Sequence, residues 1–167
     1  MADGTREGGC ACGAVRYRAT GEPIFVNNCH CTLCQNQTGA TSAVNAFYET
    51  EALALLSGET ARTVVKTGSG GEQAIVRCTA CGTALWSHYP GLGEYGLALR
   101  AGTLAEPGSV TPDAVIYVAD KMPWVALPDG IPQFATTYKP SAVLPPERFA
   151  RLLAVVNKNT AQAERKA

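Results

Sequence analysis

The sequence is short of most features that would assign it quickly. Its 167 residues carry no net charge, with Lys+Arg and Asp+Glu both at 14. No basic run appears either, so a nucleic-acid or anionic-membrane partner has no electrostatic support. No apolar run approaches the roughly 20 residues needed to span a bilayer. The opening stretch, Met1 to Glu7, is polar and lacks the apolar core of a secretory signal. A cytoplasmic protein is therefore expected. Internal repeats, linkers and low-complexity tracts are missing too, which predicts one domain over residues 1–167, with a core at about 8–140. A hydrophobic content of 46% suffices for an ordinary core, so metal is not required merely to rescue a small scaffold.

What the chain does have is cysteine, seven in all. In a reducing compartment, clustered cysteines read as metal ligands rather than disulfides, and an odd number cannot pair completely within one chain.

Around the cysteines the pattern is one of short strands. Ala14–Ala19 alternates with a period of two, Gly21-Glu22-Pro23 marks a turn, and Ile24-Phe25-Val26 leads toward Cys29. Further strands are predicted at 43–48, 61–67, 72–77, 84–87, 95–100 and 114–118, with Gly68-Ser69-Gly70-Gly71 as a hairpin tip. Many short strands punctuated by Gly and Pro predict a mostly-β, antiparallel architecture. One helix is predicted at about 146–160. Pro145, Pro146 and Glu147 suit a first turn, and Phe149, Leu152, Leu153 and Val156 follow at helical spacing. Residues 161–167 are polar and expected to fray.

The cysteines fall in three clusters: Cys10-Ala11-Cys12, Cys29-His30-Cys31-Thr32-Leu33-Cys34, and Cys78-Thr79-Ala80-Cys81-Gly82. A C-x-x-C turn aims two thiolates at one ion, and zinc favours tetrahedral sulfur and nitrogen donors. The last cluster has the form of a zinc knuckle and needs a second pair, which Cys10 and Cys12 can supply. The middle cluster holds three cysteines, the ligand count of a catalytic zinc that keeps one position open. Four plus three uses every cysteine, although spacing alone leaves other pairings open. A thioredoxin-like redox pair is disfavoured because no βαβ pattern surrounds either C-x-x-C. His30 is expected to point away from its two flanking cysteines, as alternate residues of an extended segment do. His88 is left undecided as a fourth ligand.

These three motifs, with Gly13-Ala14-Val15-Arg16-Tyr17, Thr38-Gly39-Ala40 and the later stretch Ile116-Tyr117-Val118 to Gln133-Phe134, resemble the glutathione-dependent formaldehyde-activating enzyme family. The resemblance implies an Mss4-like fold of twisted antiparallel sheets with a zinc-closed core and S-(hydroxymethyl)glutathione synthase activity, a carbon–sulfur lyase reaction. It further implies two zinc ions per chain, one structural at Cys10, Cys12, Cys78 and Cys81, one catalytic at Cys29, Cys31 and Cys34. Its implied partners are a small thiol such as glutathione and formaldehyde or a related small aldehyde. The chain departs from the family pattern at Val115, where members often place a histidine, and at Gln35, where many carry arginine.

A thiol brought to an open zinc would attack the aldehyde as a thiolate. Thr32, Gln35, Asn36 and Gln37 are candidate hydrogen-bond donors near that centre, and Pro123 and Trp124 are candidate pocket walls or core residues. Two other classes compete with the enzyme: a zinc-stabilised binding module without catalysis, and a thiol redox sensor. The sequence does not specify the oligomeric state.

Overall fold

A computed structural model describes residues 4–67 and 70–165 of the chain. Among the described residues it is mostly β, with ten strands in two sheets and two α-helices. The smaller sheet has the order β1 (Arg6–Gly9), β2 (Arg16–Ala19), β5 (Leu53–Ser57). The larger one runs β10 (Ala114–Ile116), β3 (Phe25–Cys29), β4 (Ala43–Glu49), β9 (Gly96–Arg100), β8 (Ala84–His88), β7 (Glu72–Cys78), β6 (Thr60–Lys66).

Burial explains which strands sit where. Every residue of β9 is buried, and all of β3 except Asn28, as befits central strands covered on both faces. The edge strand β6 exposes Ala61, Arg62, Thr63, Val64 and Lys66 and interrupts its apolar positions with charge. The main core joins the sheets. Tyr17 and Ala19 of β2 meet Ala46 and Tyr48 of β4, Leu85 and Trp86 of β8, and Leu97 and Leu99 of β9. Tyr17 meets Trp86 edge-on, with ring centroids 6.1 Å apart. Cys10 and Cys78 belong to the same cluster, so one cysteine group sits at the margin of the main core.

Helix α1 (Thr32–Thr38) follows β3 directly, and α2 (Pro146–Glu164) closes the chain. The second helix starts on Pro146, whose fixed φ suits a first turn, and buries Leu152 and Val155 against Ile24, Phe25, Leu92 and Leu144. Two arginines fasten it. Arg148 reaches Asp113 (2.5 and 2.8 Å) and the Ile24 carbonyl (2.7 Å), and Arg151 grips Glu49 with two bonds of 2.7 and 2.8 Å.

The second clamp carries a pH dependence. Burial pushes the Glu49 carboxyl up, but hydrogen bonding from Arg151 outweighs it and holds the group below its usual 4.5. A carboxyl depressed in the folded state contributes stability above its unfolded value, and loses it as pH falls through the folded one. The melting temperature should therefore fall more steeply below pH 4.5 in the wild type than in Glu49→Gln. Parallel slopes for the two proteins would show that the clamp contributes nothing.

The structure corrects several expectations. Among the described residues, the strands pair antiparallel except that β10 lies parallel to β3, with Ile116 opposite Cys29, and Val115 of β10 also makes an isolated parallel bridge to Gln133. That strand stops at Ile116, because Tyr117 takes left-handed angles (φ 56) and turns the chain into a 3₁₀ segment at Val118–Asp120. The predicted strand at Ala14 begins only at Arg16, after the turn that carries the first two cysteines. The terminal helix continues to Glu164, so residues 161–164 are helical rather than frayed. Gly68 and Ser69 of the predicted hairpin tip, and positions 166 and 167 of the predicted frayed end, lie outside the described residues.

Candidate metal centres and the cavity above one of them

Two groups of thiols converge. In the first, Cys10 and Cys12 sit in the turn between β1 and β2, Cys78 is the last residue of β7, and Cys81 follows three residues later. The four sulfurs all lie within 4.8 Å of one another, with Cys10–Cys12 at 3.4 Å and Cys12–Cys78 at 3.9 Å. Four sulfurs arranged tetrahedrally around zinc at about 2.3 Å stand about 3.8 Å apart, so the spacing fits such an ion.

The surrounding turns are built for thiolates. The Val15 N–H donates to Cys10 Sγ at 3.2 Å, and the Thr83 hydroxyl lies 3.1 Å from Cys81 Sγ. The Ala11 N–H donates to Thr83 Oγ1 (3.3 Å), tying the two halves of the group together. Gly82 turns the chain after Cys81 with φ 73, an angle that other residues adopt only with strain. Hydrogen bonding from Thr83 brings Cys81 down to about 5. At Cys12 the Ala14 backbone favours the thiolate, yet Cys10 and Cys81 outweigh it and push the thiol up to about 11.

The second group joins Cys29, Cys31 and Cys34, again with all sulfurs within 4.8 Å. Cys29 ends β3. Cys31 caps α1, with extended angles and a sulfur that accepts the Cys34 N–H at 3.4 Å. The helix then brings Cys34 back over its own cap. It ends at Gly39, in a left-handed conformation with φ 63. Hydrogen bonds from Cys29 and Cys34, aided by backbone N–H groups of the first turn, lower Cys31 to about 2. Cys29, donating to Cys31, is pushed up. Among the described residues, no fourth His, Cys, Asp or Glu joins this group.

Neither histidine closes it. His30 is buried, its Nδ1 donates to the Thr41 carbonyl at 3.1 Å, and it does not join the sulfur group. His88 sits on β8 with Nδ1 bound to the Gly96 carbonyl at 3.0 Å, which resolves the undecided case against ligation. The candidate donors divide. Thr32 reaches the space above the sulfurs, and Asn36 is exposed. Gln35 clamps the His30 and Asp120 carbonyls at 2.6 and 2.9 Å. Gln37 donates to Gln73 Oε1 (2.8 Å) and accepts from Arg100 (2.6 Å). Trp124 is 74% exposed and neither lines the cavity nor packs in the core, contrary to both expectations.

That cavity, about 570 Å³, opens over Cys29, Cys31 and Cys34. Phe25 and Phe47, stacked with centroids 4.0 Å apart, form one wall with Leu92 and Leu152. Ile116, Tyr117 and Tyr138 form another. Sequence reasoning missed Tyr117, Tyr138, Phe47 and Leu152 as site residues. Of these, only Tyr117 carried a local signal, as part of the Ile-Tyr-Val stretch. Its left-handed backbone is a sparsely populated state for a bulky residue, and it sets the ring against the cysteine group. Burial, then the charge of Cys29 and Cys31, raises its hydroxyl pKa.

Arg100 is buried behind this cavity. Its Nη atoms donate to Asn45 Oδ1 (2.8 Å) and Gln37 Oε1 (2.6 Å), and no carboxylate pairs with it among the described residues. At Cys34, hydrogen bonding from Cys29 and the field of Arg100 favour the thiolate, while Cys31 and burial oppose them and prevail.

Comparison with known proteins adds a family. The family model described as glutathione-dependent formaldehyde-activating enzyme matches residues 5–120, a span that contains all seven cysteines. No curated protein matches the chain. Among solved structures, the crystal structure of a Rhodobacter sphaeroides protein, a structural genomics target, matches at 16% identity. The match covers 77% of this chain and 98% of that one, with a TM-score of 0.44.

Proposed function

The chain belongs to the glutathione-dependent formaldehyde-activating enzyme family, and on that premise we propose that it is a zinc-dependent carbon–sulfur lyase or synthase. It joins a thiol to formaldehyde or a related small aldehyde, and releases them in reverse. Cys10, Cys12, Cys78 and Cys81 hold a structural zinc, and Cys29, Cys31 and Cys34 hold a catalytic one. The observation that carries this reading is the contrast between the groups. Four sulfurs close one centre, while three sulfurs face a cavity that can admit a ligand. The same cavity favours an enzyme over a binding module or redox sensor, neither of which needs one.

A zinc ion at the three-cysteine site would supply Lewis acidity, favouring the ionised form of an incoming thiol at neutral pH. The chain's own residues do the rest. The cavity walls orient the thiol and limit water around the aldehyde. A C–S bond forms as the sulfur lone pair attacks the carbonyl carbon. The C=O π pair moves to oxygen, which takes up the proton released by the thiol. Three cysteine thiolates on a divalent ion leave a net negative centre, and Arg100 is the buried cation placed to offset it. Partners of this kind commonly change metal affinity by about 10- to 100-fold. Arg100→Met should therefore weaken retention of the second metal by about that factor and leave the first in place. A titration with a chromophoric chelator reads both, and equal weakening at the two sites would contradict the assignment.

The function itself is tested by adding formaldehyde and a thiol to the zinc-loaded protein and following adduct exchange by NMR. Exchange above the uncatalysed background should appear and should vanish when the second zinc is removed. Exchange indifferent to that zinc would exclude the proposed chemistry.

A further inference from the structure

The cavity over Cys29, Cys31 and Cys34 is nearly devoid of charge. Among the described residues, Asp120 is the one ionisable side chain lining it besides the cysteines and tyrosines, and it is an acid. Among the described residues, no lysine or arginine lines the space. The neighbouring cations are committed elsewhere. Lys121 donates to the carbonyls of Met122 (3.1 Å) and Val125 (2.7 Å), and Arg148 is held by Asp113. Arg100 lies behind the wall, bound to Asn45 and Gln37.

The polar lining is amide and hydroxyl, and much of it is already engaged. Asn27 Oδ1 accepts the Tyr138 hydroxyl at 2.8 Å. A relay fixes the remaining amides. Arg100 can only donate, so Gln37 turns its oxygen to Arg100 and its nitrogen to Gln73 Oε1. Gln73 Nε2 is left as a buried donor without a partner among the described residues, on a side chain that lines the cavity. With the hydroxyls of Thr32, Tyr89, Tyr117 and Thr137, the lining offers only neutral donors. Such donors suit the oxygen of an aldehyde or hydroxymethyl group better than they suit two carboxylates.

Glutathione carries two carboxylates and one ammonium besides its thiol. Seating it here would strip carboxylates of water beside Asp120 and a thiolate-rich centre, with no guanidinium to receive them. The aromatic and aliphatic walls reward the opposite kind of ligand. Thr137, Tyr138, Pro140 and Leu152 complete those walls, and all four lie beyond residue 120, where the family match ends. The chemistry-bearing cysteines thus come from the matched region, while part of the recognition surface comes from outside it.

We propose that this cavity selects an uncharged thiol with an apolar body, and its hydroxymethyl adduct, in preference to glutathione. The inference rests on the thiol–aldehyde reading above, and its test separates the two. Binding is measured on the zinc-loaded full-length protein with two thioethers that undergo no chemistry, benzyl methyl sulfide and S-methylglutathione. Benzyl methyl sulfide should bind at least about tenfold more tightly, the scale on which apolar pockets discriminate. Asp120→Lys, a change at an exposed position, should narrow that gap by strengthening S-methylglutathione binding. Equal or tighter binding of S-methylglutathione to the wild type overturns the selectivity, and so does binding of neither. Exchange with formaldehyde is then followed separately for benzyl mercaptan and glutathione. Faster turnover of glutathione would overturn the inference and keep the enzyme. Selective binding without turnover of either thiol would remove the enzyme and keep the selectivity.

Discussion

Cys81→Ser is expected to unfold the protein at temperatures where the wild type remains folded. The four-cysteine group joins the turn after β1 to the end of β7, and metal binding at such sites carries about 10–16 kcal/mol of folding free energy in small zinc domains. A whole domain is stable by only about 5–15 kcal/mol, so even a fraction of that loss is decisive. Serine is a poor zinc ligand and leaves three sulfurs crowded at the core margin. Thermal unfolding with metal analysis of the purified variant checks the point, and a chelator should reproduce the effect in the wild type. A Cys81→Ser protein that melts at the wild-type temperature with two metals bound would reject the structural role.

Cys31→Ser should behave in the opposite way. Serine is among the best helix caps, so the change preserves the start of α1 while removing one of three sulfurs. The variant should keep its melting temperature within a few degrees, bind one metal per chain, and catalyse adduct exchange no faster than background. If it melts like Cys81→Ser, the middle group is a second structural clasp. If it keeps full activity, the chemistry does not occur there.

How much of this was legible in the sequence depends on range. Strands such as β4 and β7 announced themselves because burial alternates along parts of them. Helix α2 did so because Leu152, Val156 and their neighbours recur at helical spacing. The edge strand β5 did not. Leu53–Ser57 has no alternation to read, and Leu55 and Leu56 are 47% and 45% exposed. Strand β1 consists of Arg6-Glu7-Gly8-Gly9, residues that favour no strand on their own. Helix α1 was missed because only Cys34 is buried in seven residues, so no apolar stripe exists; Gly39 after Thr38 was the available stop signal.

The cysteine groups were legible because ligand spacing is local within each motif, and only the joining of the first to the third needed the fold. The cavity was not. Phe47, Tyr89, Ile116, Tyr138 and Leu152 come from β4, the segment after β8, β10, the loop before α2, and α2 itself. No periodicity links them. The parallel placement of β10 against β3 brings Ile116 opposite Cys29, a consequence of a long crossover that strand patterns do not encode.

The reach of the four-cysteine group along the chain also sets a timetable for its assembly during biosynthesis. Cys10 and Cys12 leave the ribosome about 70 residues before Cys81, an interval of roughly 4–14 seconds at about 5–20 residues per second. During it the first pair has no partner thiols to complete a tetrahedron. The middle trio is complete by residue 34, well before that interval ends. On the zinc reading proposed above, the thiols of the catalytic site are thus complete before those of the structural one.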